Sequence, residues 1–168
     1  TGSETAADFT TSTIVAPLVE ETLKGLAVLL VFLFFRNEFD SILDGIIYAA
    51  ITALGFAATE NAYYIYTYGY QESGFTGIFE MTFIRAVVVG WQHPFYTAFI
   101  GIGLAIARTS HKTFLKVLAP LLGWTASVTT HAIHNALASS NESLLCFLRL
   151  FLDWSGWIAM LMFVFMMV

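Results

Sequence analysis

The sequence predicts an all-α fold, a polytopic transmembrane helix bundle with about five membrane segments. Its 168 residues are 58% hydrophobic and only 11% charged, whereas about a quarter of the residues in a soluble domain are charged. Apolar runs long enough to cross a bilayer, roughly 20 residues each, recur along the chain. Small residues stand at every fourth position in three of these runs, which in lipid marks faces where helices pack together. We therefore expect an integral membrane protein with one membrane-embedded domain, residues 1–168.

Five helices are predicted after a polar N-terminal tail of about residues 1–13. Their predicted ranges are about 14–35, 42–67, 79–107, 114–138 and 144–168. The polar stretch GYQESGFTG is expected to be a loop between the second and third helices. Pro94 predicts a kink beside His93, because proline lacks the backbone N–H that a helix interior needs. The polar start without Met and the apolar end predict that the chain is a fragment of a longer protein.

Three ridges of small residues end in polar side chains. Residues four apart lie along one ridge of a helix. The ridges are Gly45, Ala49, Ala53, Ala57 and Asn61; His93, Thr97, Gly101 and Ala105; and Ala119, Gly123, Ser127, His131 and Asn135. Because small residues allow close helix contact, the polar end of each ridge should point into the bundle.

The distribution of basic residues predicts the orientation in the membrane. Arg36 lies in the first predicted loop, and Arg108, Lys112 and Lys116 lie in or beside the third. Since short basic loops stay cytoplasmic, the N-terminus is expected outside. Ionisable or amide side chains of four helices then lie together, most of them roughly 8–12 Å below the outer surface at 1.5 Å per residue. These residues are Glu20, Glu21, Lys24, Glu60, Asn61, His93, His131, His134 and Asn135.

Convergence of these groups predicts hydrolytic chemistry, by one of two routes. Ionisable groups inside a membrane are costly and are therefore functional candidates. His93, His131 and Glu60 form a plausible zinc ligand set that leaves a position for water, with a further glutamate as general base. Without a metal, Glu20 or Glu21 could itself activate water. In either route an amide such as that of Asn135 could donate to the developing oxyanion.

Several of these polar groups also have structural explanations. Lys24 and Glu20 are one helical turn apart and could be a simple ion pair. Glu60 and Asn61 could make only interhelical hydrogen bonds. His134 leaves the small ridge and is expected to support the site rather than to act in it. Other polar residues are expected outside the site: His111 in the basic loop, the ion pair Arg149–Asp153, and Cys146, the single cysteine.

The residues resemble a known family in four motifs. These are Glu20-Glu21-x-x-Lys24, Phe56-x-x-x-Glu60-Asn61, His93-x-x-x-Thr97 and His131-x-x-x-Asn135. Together they resemble the PrsW family of intramembrane proteases, which shares a superfamily with the type II CAAX prenyl proteases. The Lys at the fifth position of the first motif and the Glu-Asn pair of the second are similar to PrsW. In the prenyl proteases the first motif more typically has an Arg one residue later, and the second has a His.

The resemblance implies hydrolysis of a peptide bond in a membrane-anchored protein, such as an anti-sigma factor, on the extracytoplasmic side of a bacterial or archaeal cell membrane. It implies a catalytic or metal-binding set with Asn135 supporting. That set is Glu20, Glu21, Glu60, His93 and His131. Lys24, Asn61, Thr97 and His134 are expected around it. The family name favours a divalent metal, and the histidine and glutamate ligands favour zinc. A metal-free glutamate mechanism is argued for relatives, and the sequence leaves both open.

Two other functions fit parts of the pattern. His93 and His131, on small-residue ridges of neighbouring helices, could be the axial ligands of a haem in an electron carrier. The same carboxylates and histidines could form a proton or cation pathway, although a pathway should distribute its polar groups across the bilayer. Neither explains why three glutamates lie at one depth. The acidic balance, a net charge of −5, gives no indication of nucleic-acid binding.

Overall fold

A computed structural model describes residues 2–140 and 142–167, which form helices and no β-strand. The helices are α1 (Gly2–Thr10), α2 (Ala16–Phe34), α3 (Ile42–Tyr64), α4 (Gln71–Thr82), α5 (Gln92–Thr109), α6 (Leu115–Ala138) and α7 (Ser143–Met167). Wider, π-helical turns connect or extend them at Thr11–Val15, Ile65–Tyr70 and Phe83–Val88. The all-helical prediction is confirmed. By length and hydropathy, two helical stretches of the described residues could cross a membrane, Ile42–Thr109 and Ser143–Phe165.

The ridges of small residues are the surfaces where α3, α5 and α6 pack together. A Cβ atom added to Gly45 of α3 would collide with the carbonyl of Gly101 of α5, and the reverse substitution is equally blocked. On the other side of α5, Gly103 lies against the backbone carbonyl of Ala119 of α6. Close contact on both sides makes α5 the central helix, and it places His93 at the N-terminal end of α5 among the other helices.

The N-terminal polar residues, predicted as a tail, form the helix α1 and the turn that follows it. Thr10 and Thr13 donate their hydroxyl hydrogens to the carbonyls of Ala6 and Phe9, at 2.8 and 2.6 Å. Hydroxyls bonded to the carbonyl four residues earlier are compatible with helix. Most of the stretch predicted as a tail before the first helix is therefore itself helical.

The predicted polar loop is wrong, because residues 65–88 form a helical hairpin. The helical path continues to Ser73, reverses at Gly74, where φ is +60°, and returns to Val88. Only glycine adopts such a φ readily. Gly69 and Gly77 let the two arms of the hairpin touch through their backbones.

The predicted third helix, residues 79–107, is also interrupted. The chain leaves the helical conformation at Val89, and α5 begins at Gln92. Pro94 therefore lies in the first turn of α5, where backbone N–H groups have no intrahelical partner to lose. Where the sequence predicted a kink beside His93, the structure has the start of a helix.

Candidate active site

A cavity of about 310 Å³ lies among α2, α3, α5 and α6, with one wall from the start of α7. Seven of the residues selected from the sequence line it, namely Glu20, Glu60, Asn61, His93, His131, His134 and Asn135. Three more, Glu21, Lys24 and Thr97, are buried directly behind this lining. The convergence that the sequence predicted is present in the structure.

Glu21 is a fully buried carboxylate, and each of its oxygens has two hydrogen-bond partners. Its Oε2 accepts hydrogen bonds from Thr97 Oγ1 at 2.8 Å and Ser127 Oγ at 2.7 Å. Its Oε1 lies 2.7 Å from Lys24 Nζ and 2.9 Å from His131 Nδ1. Four partners from α2, α5 and α6 satisfy both oxygens, as a buried charge requires. Glu21 therefore fixes the surrounding side chains and does not face the cavity.

His131 is oriented by Glu21 and faces Glu20. Since an ionised carboxylate can only accept, His131 Nδ1 carries the hydrogen that it donates to Glu21. Its Nε2 atom then has a free lone pair, which lies 4.0 Å from Glu20 Oε2. That gap lies at the cavity wall, where 18% of the Glu20 side chain is exposed. The two atoms can share a small third group, such as a water molecule or a cation.

Both nitrogens of His93 are occupied. The Nδ1 atom lies 2.9 Å from Lys24 Nζ, and Nε2 lies 2.9 Å from Glu60 Oε2. Because an ammonium group can only donate, Nδ1 accepts and Nε2–H donates to Glu60. The Lys24 ammonium is buried, 4.3 Å from the centre of the Phe56 ring. His93 therefore links the Lys24–Glu21 pair on α2 to Glu60 on α3.

Arg85 completes the α3 side of the site. Its Nη2 lies 2.6 Å from Glu60 Oε2, and its Nε donates to Asn61 Oδ1 at 2.7 Å. The guanidinium carbon also lies 4.4 Å from the centre of the Tyr64 ring. Sequence reasoning assigned Arg85 no part in the site. Its pairing depends on the hairpin at Gly74, which brings residues 24 and 25 positions apart into contact.

Asn135 and His134 are held by partners outside the motifs. Asn135 Nδ2 donates to the Ser12 carbonyl at 2.9 Å, so one of its amide hydrogens is used to join α6 to the turn before α2. His134 Nε2 lies 2.8 Å from Asp153 Oδ1 of α7, and Asp153 Oδ2 lies 3.3 Å from Arg149 Nε. The expected Arg149–Asp153 pair is present, but it is not outside the site, because Asp153 is buried beside His134 and Arg149 lines the cavity.

Comparison with known proteins shows the family of the chain. The model of a family described as "PrsW family intramembrane metalloprotease" matches residues 1–168. The chain belongs to the PrsW family. Over 128 residues it is 32% identical to Protease PrsW of Oceanobacillus iheyensis, a match covering 75% of this chain and 53% of that protein. The chain thus spans about half the length of that curated relative. No solved structure matches it.

The family resemblance inferred from the four motifs is thereby confirmed. In this PrsW family member the motifs lie on α2, α3, α5 and α6, and each motif contributes at least one side chain to the lining of one cavity.

Four residues of this candidate site could hold a metal ion. Ligand atoms of Glu20, Glu21, His93 and His131 all lie within 4.8 Å of one another. Carboxylate oxygens and imidazole nitrogens are the ligands that zinc takes in catalytic sites. Glu60, which the sequence suggested as a ligand, is not in this group and instead binds His93 and Arg85.

The Lys24 ammonium lies within this same group. Its Nζ is 2.7 Å from Glu21 Oε1, 3.4 Å from Glu20 Oε2 and 2.9 Å from His93 Nδ1. The lysine is therefore the cation that three of the four candidate ligands share. A metal ion bound through His93 Nδ1 would have to displace it, whereas His131 Nε2 and Glu20 are accessible without that change.

Proposed function

We propose that this chain is the catalytic part of an intramembrane protease that hydrolyses a peptide bond in a membrane-anchored protein. The observation that carries the proposal is the pair formed by Glu20 Oε2 and His131 Nε2, 4.0 Å apart at the wall of a cavity inside the helix bundle. The family and the relative named Protease PrsW support the same chemistry.

Glu20 is the general base in this proposal. Glu21 already accepts four hydrogen bonds and would have to lose at least one of them to take a proton. Glu20, in contrast, lines the cavity, and its contact with Lys24 is longer, at 3.4 Å. A water molecule between Glu20 and His131 can donate one hydrogen to each, which leaves its oxygen lone pairs for the scissile carbonyl. Glu20 then takes the proton and delivers it to the leaving amine.

The charge balance of the site points to the same residue. Three carboxylates, Glu20, Glu21 and Glu60, lie beside two cations, Lys24 and Arg85, which leaves one negative charge uncompensated when the imidazoles are neutral. Lys24 is closest to Glu21, and Arg85 is bound to Glu60. The unbalanced charge therefore falls on Glu20, the carboxylate best placed to accept a proton or bind a cation.

A divalent metal, for which we propose zinc, would be held by Glu20 and by His131 Nε2, oriented by Glu21. Carboxylate–histidine pairs of this type commonly orient metal ligands. When bound, such an ion makes a coordinated water more acidic and polarises the scissile carbonyl. The donor atoms within 4.8 Å of one another and the description of the family as metalloproteases support this metal-dependent form.

Five helices, α2, α3, α5, α6 and α7, are proposed to cross the membrane. The basic first and third loops favour an external N-terminus, with the cavity in the extracytoplasmic leaflet of a bacterial or archaeal cell membrane. A membrane-anchored substrate cut on that side, of the anti-sigma-factor type, fits this placement.

A haem protein is not favoured, because axial ligation requires a free nitrogen on each imidazole and both nitrogens of His93 are occupied.

The proposal is tested with purified protein in liposomes and a fluorogenic peptide that contains one apolar membrane segment. Glu20→Gln and His131→Ala should each lower turnover at least 10³-fold while the protein remains folded, since removing a catalytic group of a hydrolase typically costs this much. Glu72→Gln, the same change at an exposed position of α4, is the control and should keep full turnover. Turnover retained in Glu20→Gln would contradict the proposal.

A further inference from the structure

A second group of polar atoms in the cavity has no role in water activation. Among the described residues, three buried side-chain atoms lack a hydrogen-bond partner: Gln92 Oε1, Tyr96 Oη and Arg149 Nε. All three residues line the cavity that contains Glu20 and His131. Buried polar atoms are nearly always paired, because an unpaired one costs stability. Three such atoms around one cavity indicate a place that receives a polar ligand.

Packing holds Gln92 and Tyr96 in fixed orientations. Gln92, only 3% exposed, donates Nε2–H to the Leu152 carbonyl of α7, which leaves Oε1 as an acceptor. Tyr96, only 1% exposed, stacks on the His131 ring with centroids 4.9 Å apart and planes 19° apart. The His134 ring also contacts Tyr96, with centroids 5.9 Å apart. Both side chains are thus held in place, and the Tyr96 ring lies against the proposed catalytic histidine.

Arg149 adds a donor at the edge of the group. Its Nε lies 3.3 Å from Asp153 Oδ2, but the N–H does not point at that oxygen and makes no hydrogen bond with it. The group therefore contains one acceptor, one hydroxyl that can donate or accept, and one cationic donor.

This combination is the complement of a peptide unit, which carries one N–H donor and one C=O acceptor. A helix in the membrane satisfies its own backbone hydrogen bonds, so a helical segment has none to offer. Hydrolysis requires the segment around the scissile bond to unwind, and the freed groups then need partners in a place poor in water.

We propose that Gln92 Oε1 and the Tyr96 hydroxyl form a subsite that binds the backbone of the unwound substrate next to the scissile bond, with Arg149 at its edge. This inference rests on the proposed protease function and adds the part of the substrate that is recognised. Tyr96 binds the substrate backbone and takes no part in proton transfer.

The test is Tyr96→Phe, which removes the unpaired hydroxyl and keeps the stacked ring. The substrate is the fluorogenic membrane peptide described above. We expect KM to rise about three- to tenfold, the typical effect of one neutral hydrogen bond, with kcat unchanged within twofold. The melting temperature should stay the same or rise, because the hydroxyl has no protein partner to lose. Tyr63→Phe, the same change at an exposed position outside the cavity, should alter none of these.

A binding measurement separates the subsite from catalysis. Affinity of the same peptide is measured by fluorescence anisotropy for Glu20→Gln and for Glu20→Gln combined with Tyr96→Phe. The double variant should bind three- to tenfold more weakly. Equal affinity, a fall in kcat of more than 100-fold at unchanged KM, or a lowered melting temperature would each overturn the subsite. If the wild-type chain neither binds nor cleaves the peptide, the proposed function itself fails; if it cleaves normally and Tyr96→Phe behaves as wild type, only the subsite fails.

Discussion

Replacing Lys24 by Met should strongly destabilise the protein, because it removes the cation that Glu21 and His93 share. The ammonium lies 2.7 Å from Glu21 Oε1, and the two side chains are 1% and 0% exposed. Removing one partner of a buried pair leaves the other charge uncompensated, which costs about 3–5 kcal/mol. We expect Lys24→Met to lose stability in this range, since methionine keeps most of the volume but offers no charge.

Combining Lys24→Met with Glu21→Gln should restore at least half of that loss. The glutamine carries no charge to be compensated and can still accept from Thr97 and Ser127. The assay is reversible unfolding in detergent micelles followed by helical circular dichroism, with all variants at one detergent concentration. Lys112→Met, in the exposed third loop, is the matched control and should have no effect beyond about 0.5 kcal/mol. If Lys24→Met is as stable as wild type, or the double variant is less stable than the single one, the buried pair does not have the role assigned to it.

Three further predictions follow from the site and its supports. Metal analysis of purified protein should find zinc in the wild type and a loss of at least tenfold in zinc affinity in His131→Ala, measured with a zinc-sensitive dye. No zinc in either protein would favour the metal-free route, and equal zinc in both would remove His131 from the metal site. Gly101→Ala should lower the free energy of unfolding by about 1–3 kcal/mol, because the added Cβ collides with the Gly45 carbonyl. Gly55→Ala is the control and should not lower it, because a Cβ there meets no other atom. Equal unfolding midpoints for the two variants would refute the close packing. Arg85→Leu should reduce turnover of the membrane peptide about tenfold or more by leaving Glu60 without its guanidinium partner, and unchanged kcat/KM would remove Arg85 from the site.

The sequence was sufficient to predict which helix faces meet. Steps of four residues between small side chains gave the contact surfaces of α3, α5 and α6, because backbone approach in a helix pair depends mainly on side-chain size. The same spacing placed His93 and His131 on buried faces. This much can be read from one chain, since it depends on residue type and helical periodicity alone.

Contacts made by irregular segments could not be predicted in this way. The Arg85–Glu60 pair depends on a reversal at Gly74, and a single glycine in a polar stretch does not distinguish a helical hairpin from a loop. Likewise, the choice between Glu20 and Glu21 required the positions of Thr97 and Ser127, which show that Glu21 is saturated. Adjacent identical side chains differ only in what surrounds them, and three-dimensional packing decides that.

The π-helical turn at Thr11–Val15 determines the direction in which the side chains of α1 point relative to α2. Such a turn holds one residue more than an α-helical turn, so α1 is rotated by about 100° relative to a helix that continued α2 without interruption. The rotated backbone presents the Ser12 carbonyl to Asn135. Deleting one residue here would leave composition and hydropathy almost unchanged, yet it would turn every upstream side chain to a new direction and separate that carbonyl from its amide.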